Sequence, residues 1–272
     1  MKLSDFKTAG INRLSLGCQS FFNDDLKFLG RSCDAKTTFK ALEIVAKKFQ
    51  NFSMDFIYGF NAQSKERLSQ NIETAVSFGS PHLSFYKLTL EENTPLYNRM
   101  IAGEFSDISD EEEKTLYDLI DVFLKISDLE RYEISNYAKC GFESVHNLAY
   151  WNYDDYLGVG PSAHSRLYLD DQEVLGLQGK IAGENESNLQ KWLNSKQKFY
   201  QLSEQEIFEE KVLMGLRTKY GVKKEIFKNT DIGYFLKNEY LLNDDDSIKI
   251  NPKLFHVSDY IINDLLLAVC IG

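Results

Sequence analysis

The sequence of 272 residues predicts an α/β fold, in which a parallel sheet covered by helices is followed by a small, mainly helical module. Two observations predict it. The first half of the chain alternates between segments with a two-residue and with a helical hydrophobic period, as βαβ units do. From residue 203 onwards, short helical segments surround a single hairpin instead. We therefore predict a sheet domain over 1–170, a linker and a helix over 171–198, and a C-terminal module over 199–272.

The first domain is predicted to contain four strands and three helices. In the first strand, Leu14, Leu16 and Cys18 occupy alternate positions and so face the same side of the sheet. The third helix opens with Ser109 and Glu112, the spacing of a capping box. In chain order we predict a strand over 12–20, a helix over 38–49, a strand over 52–58, a helix over 65–78, a strand over 82–90, a helix over 110–126 and a strand over 132–137.

The rest of the chain changes character. Asp, Gln and Gly are frequent over 170–183, which favours a linker, and a helix is predicted over 186–196. A second capping box, Ser203 with Glu206, opens a helix that extends to about residue 216. The remaining predicted elements are short helices over 223–227 and 232–238, a hairpin over 240–250 and a helix over 257–269. Helices around one hairpin are typical of a winged-helix-like module.

The charge and cysteine content exclude several classes of protein. Lys and Arg total 31 against 41 Asp and Glu, a net charge of −10, so we expect no nucleic-acid partner. No signal peptide or membrane span is apparent, and we expect a cytoplasmic protein with reduced thiols. The four cysteines, Cys18, Cys33, Cys140 and Cys270, are widely spaced, which excludes a disulfide scaffold and a local metal-binding motif. We expect them to be structural or incidental.

Several motifs follow one another in a characteristic order. They are GINRLSLGCQSF at 10–21, LGR at 29–31, DFIYG at 55–59, YEISNYA at 132–138, HNLAYW at 146–151, YLGVGPSAHS at 156–165 and VSDYII at 257–262. The first three resemble radical SAM proteins related to oxygen-independent coproporphyrinogen III oxidase. The others resemble the HemW branch of that family, the haem chaperones. The resemblance extends over nearly the whole chain.

The resemblance implies a partial radical SAM (β/α) barrel, about its C-terminal half. Family members carry a C-x-x-x-C-x-x-C motif that binds a [4Fe–4S] cluster, together with a glycine-rich S-adenosylmethionine (SAM) motif, and both are missing here. The strand over 12–20 corresponds to about the fourth of six barrel strands, so roughly 90 residues of βα units would precede it. We therefore expect an N-terminally truncated chain in which Met1 was an internal methionine.

The resemblance implies SAM contacts for Gln19, Arg31 and Asp55. Because these residues lie at or just after the ends of predicted parallel strands, they occupy the edge where barrel sites are built. An amide, a guanidinium and a carboxylate suit the amino, carboxylate and ribose groups of SAM. The alternative is that Arg31 and Asp55 form an ordinary ion pair at the rim of the sheet.

His146, Tyr150 and Trp151 belong to a motif that the resemblance ties to haem. Imidazole is a common axial ligand of haem iron, and the two aromatic rings could stack on a porphyrin. The alternative for His146 is a histidine that is hydrogen-bonded within a loop. His164 is a second candidate, which we expect to fix its loop through hydrogen bonds.

Two interpretations of function remain open. The first is a HemW-like haem chaperone fragment, which binds haem or porphyrin and transfers haem to an acceptor protein at the membrane. The second is a portion of an oxygen-independent coproporphyrinogen III oxidase, an enzyme of porphyrin biosynthesis that would need a complementing N-terminal half. Since half a barrel exposes a strand edge, we also expect self-association or a complementing chain.

Overall fold

The structure is a computed structural model that describes residues 2–60, 63–174 and 176–270. The chain divides into two compact units, Met1–Glu143 and Ser144–Gly272. The division therefore lies before the predicted boundary at residue 170, which falls inside a strand.

The first unit contains an open five-stranded sheet, and its α/β class agrees with the sequence prediction. Its strands are β1 (Arg13–Gln19), β2 (Asn51–Tyr58), β3 (His82–Lys87), β4 (Glu130–Arg131) and β5 (Asn136–Ala138). Its helices are α1 (Lys2–Thr8), α2 (Asn23–Phe28), α3 (Ala35–Lys48), α4 (Lys65–Ser77), α5 (Pro95–Ile101) and α6 (Asp110–Ile126). The strand order is β1-β2-β3-β5-β4, and β1, β2 and β3 run parallel.

One face of this sheet carries the core of the unit. Met54, Phe56 and Phe85 are almost fully buried, as the strand period predicts for alternate positions. They pack in one cluster with apolar residues of α3, α4 and α6, including Leu42 and Ile72. Each such side chain contributes roughly 1.5–3 kcal/mol when it is fully buried. Both halves of the predicted capping box at the start of α6 are formed.

The predicted strand over 132–137 is only partly correct. The ladder with β3 involves Asn136–Ala138, and the two strands are antiparallel. Residues 132–135 instead form a turn, in which the Tyr132 amide donates to the Asn136 carbonyl at 3.1 Å. This turn joins β4 directly to β5, and a connection that short permits only antiparallel strands.

The second unit combines two small antiparallel sheets with helices. Its first part contains α7 (Val145–Trp151), β6 (His164–Val174), β7 (Leu177–Glu184), α8 (Leu189–Asn194) and β8 (Lys198–Gln201). Its second part contains α9 (Glu204–Gly215), β9 (Val222–Lys223), α10 (Gly233–Lys237), β10 (Leu241–Asn243), β11 (Ser247–Ile250) and α11 (Ser258–Cys270).

The linker predicted over 170–183 forms strands instead, whereas the helix predicted over 186–196 is present as α8. Most of this region forms the sheet β6-β7-β8, together with helix α8. The glycines that favoured a linker have another role, because a Cβ at Gly183 would lie 2.7 Å from the ring of Phe199. Glycine there allows the aromatic ring to cross the neighbouring strand.

The C-terminal module follows the prediction. Strands β9, β10 and β11 form a three-stranded sheet accompanied by α9, α10 and α11, as in a winged-helix-like module. The capping box of Ser203 and Glu206 opens α9. The buried residues of the module include Val212, Ile248 and Ile262. Among the residues described here, no helix is long and apolar enough to cross a membrane.

Candidate functional site

The face of the first sheet that does not carry the apolar core is lined by polar side chains. The strand register places Ser15, Ser53 and His82 in one row across β1, β2 and β3. In the next row, Asp55 lies beside Ser84. Since alternate residues of a strand face opposite sides, this polar face follows directly from the alternation that builds the core.

Asp55 is held by two serines. The Ser15 hydroxyl lies 2.9 and 2.8 Å from its two carboxylate oxygens, and Ser53 Oγ donates to Oδ1 at 3.2 Å. A carboxylate offers about four lone-pair positions. Asp55, which is half-buried, therefore retains capacity to accept a hydrogen bond from a ligand hydroxyl or ammonium group.

A buried histidine continues this network. His82 Nδ1 lies 2.7 Å from Ser53 Oγ, and Nε2 lies 2.9 Å from the Tyr132 hydroxyl. Burial lowers the pKa of His82 to about 3, and the nearby Arg13 charge adds to this shift. The imidazole is thus neutral. With its proton assigned to Nδ1, His82 donates to the Ser53 hydroxyl, and that hydroxyl donates to Asp55.

A second branch ends at a buried acid. Ser84 donates to the Asn136 side-chain oxygen, and the Asn136 amide donates to Glu133. Burial raises the pKa of Glu133 above its ordinary value, and the Asn136 hydrogen bond partly opposes this shift. Ser53, His82 and Ser84 were not predicted from the sequence as polar lining of this face. The feature of the sequence that could have indicated this lining is the polar residues at alternate positions of the strands.

The structure brings two of the three predicted SAM residues to neighbouring strands. Gln19 ends β1 with a φ of 66°, after a register irregularity at Gly17, and Asp55 lies on β2. Arg31 is exposed beyond α2, where its amide donates to the Leu26 carbonyl at 2.8 Å. Within the described part of the chain, Arg31 and Asp55 form no ion pair, so the alternative predicted for them is not observed.

The predicted haem residues lie on α7 in the second unit. The Ser144 side chain caps the helix by accepting a hydrogen bond from the Asn147 amide, and this cap fixes the residue at which α7 begins. His146 and Tyr150 are four residues apart and share one helix face, with ring centroids 4.8 Å apart and planes at 83°. Trp151 is half-buried, and over the described ranges no ring contact joins it to this pair.

The imidazole of His146 is available to a ligand. His146 is exposed, and neither ring nitrogen has a hydrogen-bond partner among the residues that the structure describes. It is therefore not the hydrogen-bonded loop histidine of the alternative interpretation. A ring nitrogen that is free of protein partners is the group that an axial haem ligand provides.

His164 does not fix its loop as predicted. Its exposed ring lies 4.0 Å from a carboxylate oxygen of Glu184, measured from Nε2, and no shorter ring contact joins it to another described residue. The loop is held instead by Ser165, whose hydroxyl accepts from the Gly158 amide at 2.9 Å, and by Asn185, whose side chain donates to Gly158 at 3.2 Å.

Tyr156 joins the aromatic pair, which the sequence analysis did not foresee. Its ring centroid lies 4.5 Å from that of Tyr150, with the planes at 61°. The rings of His146, Tyr150 and Tyr156 thus pack edge to face in series, and we call this group the aromatic stack. Tyr156 begins the YLGVGPSAHS motif, but nothing in its position along the sequence indicates a contact with α7.

The described residues do not suit an iron–sulfur cluster. Burial raises the pKa of the Cys18 thiol to about 12, so this sulfur is not a thiolate at neutral pH. Cys18 is buried, whereas Cys33 and Cys140 are exposed. The Cys270 side chain lies outside the described residues. Over the ranges described, no group of three or more His, Cys, Asp or Glu side chains could hold a metal ion.

Comparisons with known proteins agree on one relationship. No protein-family model matches the chain. The chain is 34% identical over 227 residues to haem chaperone HemW of Bacillus subtilis, a match that covers 83% of this chain and 59% of the relative. It is 29% identical over 276 residues to haem chaperone HemW of Lactococcus lactis, covering 95% of this chain and 70% of the relative.

Among solved structures, the chain superimposes on Escherichia coli coproporphyrinogen III oxidase HemN, a radical SAM enzyme. The TM-score is 0.70 at 16% identity, and the match covers 98% of this chain and 66% of that one. This shows a shared fold. The chain spans 44–59% of the length of three curated HemW relatives. The chain is therefore similar to the HemW haem chaperones over part of their length, and it shares the fold of a radical SAM coproporphyrinogen III oxidase.

Proposed function

We propose that the chain binds haem at the aromatic stack and passes it on, as a haem chaperone does. The observation that carries this proposal is the exposed His146 imidazole, which lies beside the Tyr150 ring and whose nitrogens have no hydrogen-bond partner among the described residues. Its relatives are named haem chaperones, and the HNLAYW motif lies on α7. In this proposal haem is the cargo of the protein.

The geometry of α7 suits transfer better than permanent retention. His146 would supply one axial nitrogen to the iron, and Tyr150 would contact the porphyrin, with Trp151 as a further aromatic contact. One ligand on an exposed helix leaves the opposite side of the iron open. An acceptor protein could then bind the iron before His146 releases it.

We also propose that Gln19, Arg31 and Asp55 are the residues that would contact SAM. Asp55 supports this, because Ser15 and Ser53 fix its carboxylate on the polar face of the sheet. The positive φ of Gln19 ends β1 sharply at the same edge. The amide, the carboxylate and the Arg31 guanidinium would bind polar groups of the ligand.

The alternative function, a portion of a coproporphyrinogen III oxidase, finds less support. That chemistry requires a [4Fe–4S] cluster, and the described residues do not suit one. A complementing chain would have to supply the cluster ligands.

A partner at the β1 edge remains part of the proposal. β1 lies at one end of the strand order. A cavity of about 340 Å³ beside it is lined mainly by apolar residues of α1, β1 and α3, such as Leu3, Leu14 and Ile44. A second copy or a complementing chain would cover this edge. Sedimentation velocity of the purified chain would distinguish association from a monomer.

Haem titration tests the main proposal. We expect the tag-free chain to give a saturable Soret shift with ferric haem, and His146→Ala to abolish or strongly weaken it. His164→Ala is the matched control, because His164 is also an exposed histidine of this unit and should leave the titration unchanged. A wild-type chain without a saturable shift, or a His146→Ala variant that titrates like wild type, would refute haem ligation by His146.

A further inference from the structure

The position of His146 depends on a contact from outside its own helix. α7 has seven residues, and helices this short are marginal in water without tertiary contacts. Its aromatic face receives such a contact from Tyr156, whose ring lies 4.5 Å from that of Tyr150. Tyr150 in turn lies 4.8 Å from His146. The orientation of the imidazole is therefore connected to Tyr156 through one intervening ring.

Tyr156 is itself held rigidly. Its amide donates to the Arg166 carbonyl at 2.7 Å, and the Arg166 amide donates back at 2.9 Å. The Arg166 guanidinium binds Glu210 of α9 in a bidentate manner, with distances of 2.6 and 2.9 Å. Glu210 also accepts from the Tyr153 hydroxyl at 2.5 Å. Bidentate arginine–carboxylate pairs have fixed geometry, so this arrangement anchors Tyr156 to α9.

We propose that Tyr156 is a positioning residue for haem: it supports Tyr150 and thereby orients the His146 imidazole. This inference rests on the proposed function, but it adds a residue outside the HNLAYW motif. Tyr156 acts through its ring, since the contact with Tyr150 is edge-to-face packing. Its hydroxyl is not required.

The first experiment uses the haem-free protein. The chain has four histidines, so the His146 ring signals can be assigned in an NMR spectrum by comparison with His146→Gln. We expect Tyr156→Ala to shift these signals, because the Tyr150 ring that packs against the imidazole loses its support. Tyr156→Phe should leave the signals unchanged. Tyr168→Ala is the control, because Tyr168 lies on β6, the strand that pairs with Tyr156, and its side chain is 60% exposed. Unshifted His146 signals in Tyr156→Ala would overturn the inference.

The second experiment measures ferric haem binding by the same variants. Tyr156→Ala should weaken binding about three- to tenfold, the range that an edge-to-face aromatic contact contributes. It should also change the electron paramagnetic resonance g-values of the complex, which report ligand orientation. Tyr156→Phe should match wild type. If Tyr156→Ala fails to fold by circular dichroism, Tyr156→Leu keeps the bulk and replaces it.

The two experiments separate this inference from the proposed function. A wild-type chain that does not bind haem would refute the proposed function, while the NMR signals would still decide whether Tyr156 positions His146. Normal haem binding and wild-type g-values in Tyr156→Ala would overturn the positioning role alone. A Tyr156→Phe variant that behaves like Tyr156→Ala would also overturn it, because the hydroxyl would then be the essential group.

Discussion

Replacing Arg67 with methionine tests how the turn after β1 is held. Asp25 is completely buried, and its carboxylate accepts from Arg67 Nη1 at 2.8 Å and from the Ser20 hydroxyl at 2.7 Å. Ser20 directly follows Gln19, so this ion pair supports the segment in which the predicted SAM contact lies. Arg67→Met removes the cation and leaves the aliphatic packing largely in place.

The expected cost follows from the burial of the two partners. Leaving a buried charge without its partner costs about 3–5 kcal/mol. The Arg67 side chain is 31% exposed, so water can replace part of the interaction. We expect a loss of about 2–3 kcal/mol in the free energy of unfolding. For a unit of this size that corresponds to a melting temperature lower by about 6–12 °C.

Calorimetry or thermal circular dichroism measures this loss, and Lys114→Met is the matched control. Lys114 forms an ion pair with Asp118 on the exposed side of α6, with both side chains about half exposed. Its loss should cost no more than about 0.5 kcal/mol. In the Arg67→Met background, Asp25→Asn should recover part of the loss, because the amide removes the unpaired charge. Equal melting temperatures for Arg67→Met and Lys114→Met would refute the reasoning.

Two further predictions concern the polar face of the sheet. A Cβ at Gly17 would lie 2.7 Å from Gln19 Nε2, the end of a flexible side chain, so Gly17→Ala should displace Gln19 at little cost in stability. Isothermal titration with SAM should then give weaker binding than wild type, and unchanged binding would remove Gln19 from the site. For His82, the folded pKa of about 3 lies below the unfolded value of 6.5, so the stability that the neutral ring contributes above pH 6.5 is lost as the pH falls toward 3. Denaturant unfolding should show His82→Gln losing less stability than wild type between pH 6.5 and 4, and parallel losses would contradict the buried neutral imidazole.

The predicted positions of helices and strands are most accurate where a local hydrophobic period determines the structure. β1, β2 and α6 lie within one or two residues of their predicted positions, because alternating or helical apolar residues and the Ser109–Glu112 box are local signals. The hairpin of β6 and β7 was missed, because its glycines are explained only by a partner strand. Gly183 resembles a linker residue until Phe199 is seen to cross it.

The candidate sites show the same limit. The HNLAYW motif singled out His146 and Tyr150, but helix α7, which brings the two side chains to one face, was not predicted. Tyr156 could not be predicted, because it meets Tyr150 through a main-chain pairing with Arg166 that no local pattern encodes. The hydrogen bonds from Ser15 to Asp55 likewise depend on strand register between segments 40 residues apart.

The proposed haem site and the proposed SAM site have separate structural supports. Gln19, Arg31 and Asp55 lie in Met1–Glu143, whereas the aromatic stack lies in Ser144–Gly272. Every contact described above that fixes His146, from Tyr150 through Tyr156 and Arg166 to α9, comes from the second unit. None of these groups needs an iron–sulfur cluster to acquire its geometry. The haem proposal therefore does not depend on the cysteines of this chain.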